Sequence, residues 1–100
     1  MSPTGKTVAL VVGGPAWRED AILREQDELG GHLALMVRLS REGVIEAAGP
    51  FATPDERLNA RLVGLVVFAD ADLDTAKRLL AEDSARAAGT IDYEVVTWHL

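Results

Sequence analysis

The apolar positions of this chain change period along its length, and the changes mark out its elements. Lys6–Val12 is a short apolar run halted by Gly13-Gly14-Pro15 and reads as a first strand. Residues 16–28, AWREDAILREQDE, carry no clear period and read as a loop with a helical turn. From Leu29 to Arg41 the period is helical. At roughly 100° per residue, Leu29, His32, Leu33, Leu35, Met36 and Leu39 share one broad face, with Ala34, Arg38, Arg41 and Glu42 opposite. Gly30 and Gly31 weaken the first turn and Gly43 ends the helix. Val44–Ala48 reads as a second strand closed by Gly49-Pro50. Phe51–Ala60, with Pro54, Asp55 and Asn59, reads as a loop, and Arg61–Ala69 as a strand apolar on both faces. Asp70 or Asp72 can cap a second helix. It runs to about Asp83, with Leu73, Ala76, Leu79 and Leu80 on one face and Asp83 inside the apolar sector. Ala88-Gly89 breaks the chain before a last strand, Ile91–His99.

The predicted order is therefore β-α-β-β-α-β. With short connections and right-handed crossovers this is the ferredoxin-like α+β plan, an antiparallel sheet with both helices on one face. Directions of travel place function. The first strand runs up, so the first helix starts at the top; the second strand ends there; and the second helix climbs back to it. His32, Gly49-Pro50 and Asp83 are thus expected at one end of the molecule. Two helices cover only one face of the sheet. The uncovered face would be a large apolar patch, which monomers in water rarely tolerate, so a homodimer with sheets packed face to face is expected.

Composition narrows the classes. One hundred residues make a single domain, residues 1–100, and 48% hydrophobic with 26% charged residues supports a core. The net charge of −6 and the scattered basic residues, such as Arg38, Arg41, Lys77 and Arg78, argue against nucleic acid. No apolar run approaches the roughly 20 residues of a membrane span, and the early glycines do not fit a signal peptide, so the expected location is cytoplasmic. Cysteine is absent, the two histidines fall at opposite ends of the fold, and no Gly-Lys-Ser/Thr follows Gly13-Gly14-Pro15. No metal and no cofactor are expected.

Polar residues inside apolar stripes need partners, so His32 and Asp83 mark a candidate catalytic pair. A carboxylate fixes the tautomer of an imidazole and stabilises its charged form, leaving the other ring nitrogen to move a proton. The plainer alternatives are a core histidine satisfied by a carbonyl and an acid that caps a turn. Arg24 can clamp a substrate carboxylate, hold Asp83 or simply be solvated. Gly49 and Pro50 border the expected pocket as a turn. Trp17, Phe51 and Tyr93 can line it, or be ordinary core. Trp98 and His99 lie at the far end and suit packing or the dimer.

Several pieces in order resemble one family: Arg24-Glu25-Gln26 before His32, the helix HLALMVRLSREG, Ala48-Gly49-Pro50, Ala81-Glu82-Asp83 before Ala88-Gly89, and the strand IDYEVVTW. Together they resemble the YCII domain family, typified by YciI-like proteins, over about Arg24 to Trp98. The resemblance implies a dimeric α+β barrel, similar to muconolactone isomerase-like proteins, and a His-Asp pair carried here by His32 and Asp83. A dehydrochlorinase acting on a chlorinated hydroxyquinol is similar to this family. The family usually has proline after the aspartate, where this chain has Ser84, a departure that bears on the aim of Asp83. The expected function is a small enzyme moving protons on a small, cyclic or carboxylated ligand, by isomerisation or elimination. The alternative is a non-catalytic module that binds a small molecule or serves as a dimerising accessory.

Overall fold

A computed structural model describes residues 5–52 and 62–100. The elements in chain order are β1 (Gly5–Gly13), α1 (Leu29–Arg41), β2 (Ile45–Pro50), β3 (Gly64–Phe68), α2 (Leu73–Leu80), α3 (Ser84–Ala87) and β4 (Ile91–His99), with one 3-10 turn at Leu23–Glu25. The strands form one antiparallel open sheet in the order β2-β3-β1-β4. With three helices this is an α+β architecture compatible with the ferredoxin-like fold. The expected loop Phe51–Ala60 and the start of the expected strand Arg61–Ala69 fall largely at 53–61, outside the described residues.

Register sorts the side chains. Ala9 pairs with Val66 and Val95, Val11 with Tyr93, and Gly13 with Ile91. This parity of the sheet packs with Leu35, Met36 and Leu39 of α1 and Ala76 and Leu80 of α2 to make the core. The opposite parity carries Val8, Leu10, Leu65, Val67, Val96 and Trp98, and the last two are 42% and 49% exposed. Leu33, expected on the buried side of α1, is 57% exposed because it stands at the margin of that stripe.

Glycine at two helix ends sets the turns that return the chain to the sheet. Gly43 (φ 74°) follows α1, with Gly43 N–H donating to Ser40 O and Val44 N–H to Leu39 O. Gly89 (φ 83°) follows α3 with the same pair of bonds, to Arg86 O and from Thr90 to Ala85 O. Both are left-handed caps that satisfy the last carbonyls.

Two expectations need correction. Gly49 and Pro50 are not a turn closing the second strand but the last two residues of β2, paired with Leu65 and Gly64. The second helix does not run to Asp83. It stops at Leu80, and Asp83 takes an extended backbone (φ −74°, ψ 117°) as the cap of α3. A carboxylate ending α2 would oppose the helix dipole, whereas one at the start of α3 meets its free amides. The four residues of α3 are too few to show a period in the sequence.

Candidate functional site

Three elements deliver three side chains to one point. His32 lies in the first turn of α1, Asp83 caps α3, and Tyr93 is the third residue of β4. His32 Nδ1 stands 2.7 Å from Asp83 Oδ2, and the Tyr93 hydroxyl donates to the same oxygen at 2.5 Å while lying 2.9 Å from His32 Nδ1. Asp83 Oδ1 accepts from the Ala85 amide at 2.8 Å. The aspartate is 1% exposed, so every acceptor it has must be answered inside the protein, and it is.

Charge follows from these bonds. Burial pushes the Asp83 carboxyl up, but the hydrogen bonds from His32 and Tyr93, the His32 charge and the Ala85 amide outweigh it, so the group sits below the ordinary carboxylate value. Burial, then the hydrogen bond to Asp83 and its charge, push the Tyr93 hydroxyl well above the ordinary phenol value. A carboxylate anion can only accept, so Tyr93 O–H and His32 Nδ1–H both donate to Asp83 Oδ2, and in the neutral ring the lone pair is then on Nε2. Among the described residues Nε2 has no hydrogen-bond partner.

His32 also lines a cavity of about 140 Å³ between the start of α1, Leu23 and the Ala48–Pro50 and Val63–Val66 stretches of the sheet. Every other residue lining it is apolar or glycine, so the imidazole is the one ionisable side chain on its described wall. Gly64 lets β2 and β3 close here, since a Cβ on it would stand 2.6 Å from Gly49 O. Gly31 lets α1 approach α3, since a Cβ there would stand 1.7 Å from Ser84 Oγ. Gly30, its neighbour, faces open space. Ser84 is the first residue of α3, a position that accepts proline or serine without loss because its amide has no helical acceptor. Its presence leaves the Asp83 cap in place.

The candidate residues divide cleanly. Gly49 and Pro50 line the cavity with His32. Trp17 is buried in the core, Phe51 is 38% exposed, and neither lines it. Arg24 is exposed on the 3-10 turn, does not line the cavity and is not a partner of Asp83, whose bonds go to His32, Tyr93 and Ala85. Tyr93 does not line the cavity either; its hydroxyl serves the pair. The sequence alone offers Tyr93 only as pocket lining or ordinary core. The signal that finds its role is the β1–β4 register, which pairs it with Val11 on the helix-covered face near the top. No group of three or more His, Cys, Asp or Glu side chains able to hold a metal occurs among the described residues. None of the described helices is long and apolar enough to cross a membrane.

Residues 13–99 match the model of the YCII-related domain, and the chain belongs to that family. No curated protein matches it.

Proposed function

We propose that this protein is a small acid-base enzyme in which His32 Nε2 takes a proton from, and returns it to, a small ligand held in the cavity. The observation that carries this reading is the pairing of opposites at His32. Its Nδ1 is bonded to a buried anion, while its ring borders an apolar space with Nε2 unengaged. Asp83 holds the imidazole in the tautomer with a basic Nε2 and stabilises the imidazolium formed when that nitrogen is protonated. Tyr93 donates the second hydrogen bond to Oδ2. General acid-base catalysis of this kind contributes roughly 10²–10⁴-fold. The cavity, near the size of engineered sites that take up a benzene ring at about 150 Å³, suits a ligand of a single ring. Its described wall offers no cation for a carboxylate. Proton abstraction and return at neighbouring positions gives isomerisation, and loss of a leaving group gives elimination.

Incubation of small cyclic enols and lactones in deuterium oxide tests the chemistry. The wild-type chain should incorporate deuterium at the carbon next to the carbonyl, and His32→Ala should lose that activity. Equal incorporation by both contradicts the reading. A second reading, a binding module without chemistry, is favoured by the single polar side chain on the cavity wall; it predicts ligand binding without isotope exchange.

The working form is a homodimer that covers the second sheet face. Val8, Leu10, Leu65, Val67 and Val96 make that face continuous, and Trp98 extends it. Val67→Asp should convert the dimer to a folded monomer in sedimentation. Val66→Asp, whose side chain lies in the core at 1% exposure, should unfold the chain instead. A wild-type monomer at micromolar concentration contradicts the dimer.

A further inference from the structure

Residues 14–28 contain no regular element beyond the turn at Leu23–Glu25, yet Trp17, Ala21 and Gln26 within them are buried. A buried loop must find partners for its backbone. Gln26 supplies them. Its Oε1 accepts from the Arg18 amide at 2.9 Å, and its Nε2 donates to Arg18 O at 2.6 Å and to Ala21 O at 3.1 Å. The carboxamide therefore pairs with residue 18 as a neighbouring strand would, acceptor to donor and donor to acceptor. The Arg18 guanidinium answers by donating to Glu25 O. No other side chain of this length can do the same. Glutamate would set a carboxylate against two carbonyls, and methionine or leucine would leave the Arg18 amide and carbonyl unmet.

The span closed by this clamp carries Leu23, which lines the cavity, and leads directly to Leu29 and His32. Gln26 itself does not line the cavity. We propose that Gln26 is a positioning residue that sets the ligand specificity of the cavity, by holding residues 18–26 in the shape that places Leu23 on its wall. The proposal rests on the cavity being the ligand site, and adds to that reading the residue that determines its fit.

Phenol is the probe, titrated into the full chain and followed by the His32 ring protons and the Leu23 and Met36 methyl resonances. The wild-type chain should bind it saturably. Gln26→Glu, which keeps the shape and loses both donors, should lower phenol affinity about tenfold or more. Leu23→Ala should lower it alone, and the double variant should bind no more weakly than the weaker single variant, because both act through one contact. Asp72→Ala, which loosens a cap at the far end of α2, should leave affinity unchanged. Wild-type affinity in Gln26→Glu, or losses that add in the double variant, would overturn the proposal, as would an equal loss in Asp72→Ala. If Gln26→Glu does not fold, the wild-type chain decides: exchange of the Gln26 side-chain amide protons should slow several-fold at phenol saturation, and unchanged rates overturn the clamp. A wild-type chain that does not bind phenol at millimolar concentration overturns the cavity reading and the role of Gln26 with it. A defect confined to the variants' comparison leaves the cavity reading standing.

Discussion

Asp72 and Asp83 do the same local work in different surroundings. Each has an extended backbone before a helix, and in each Oδ1 accepts at 2.8 Å from a backbone amide of the first turn, that of Thr75 in one case and of Ala85 in the other. Asp72 is exposed, and its carboxyl is held below the ordinary value by the hydrogen bonds from Thr75. Asp83 is buried, and Oδ2 is met by the first turn of α1 and by β4. A cap is an instruction written within a few residues. A site arises where such a cap is covered by other elements that bring their own polar atoms to the oxygen left over.

The largest difference should appear on removal of each carboxylate. Asp83→Ala leaves a half-buried imidazole and a phenol without their shared acceptor and should cost about 3–5 kcal/mol, read as a fall in Tm of roughly 12 °C or more. Asp72→Ala should cost far less, as an exposed cap does. Comparable losses in thermal unfolding would break the comparison.

The next effect is on pH. The folded Asp83 carboxyl lies below its ordinary value of 3.8, so its contribution is full above that value and is lost as pH falls through the folded one. Tyr93 has the opposite sign. Its folded value is raised above 10.0, so its contribution is full below pH 10 and fades as pH rises beyond it. Tyr93 is the chain's one tyrosine, so phenolate absorbance reports it alone. No phenolate should form at pH 10–11 until the chain unfolds. Tyr93→Phe should cost about 1.5 kcal/mol, as loss of a hydrogen bond to a charged group does, and remove this alkaline limb. A free titration of the tyrosine near pH 10 in folded protein contradicts the cluster.

The smallest effect sharpens how α1 meets the Asp83 cap. Gly30→Ala, in open space, should raise stability by about 0.5–1 kcal/mol. Gly31→Ala should not, because its Cβ would meet Ser84 beside the cap. Ser84→Gly should restore the gain.

Long periods were legible and short or tertiary features were not. The stripe of α1 gave Leu29–Arg41, and the run of β4 gave Ile91–His99, because each has enough residues to repeat. The Arg61–Ala69 reading is Gly64–Phe68 among the described residues, since apolar composition continues past the last ladder bonds. The helix Ser84–Ala87 is too short to show a stripe, so the apolar pattern places Asp83 at the end of the previous helix. In residues 16–28 the loop and its one helical turn are legible, but the path of the loop is not, because a glutamine side chain bonding to backbone has no period at all. His32 and Asp83 stood out as polar residues in apolar faces. Tyr93 did not, since an aromatic on a strand is ordinary until register shows what its hydroxyl reaches.

Proton transfer at this site depends on which nitrogen of His32 holds the proton, and nitrogen-15 spectra of the ring at a pH where it is neutral measure that directly. The expected spectrum shows a protonated Nδ1, with its proton in the hydrogen bond to Asp83, and a bare Nε2 of pyridine character. A proton on Nε2 and a bare Nδ1 would contradict it, because the nitrogen facing the ligand would then have no lone pair with which to accept a proton.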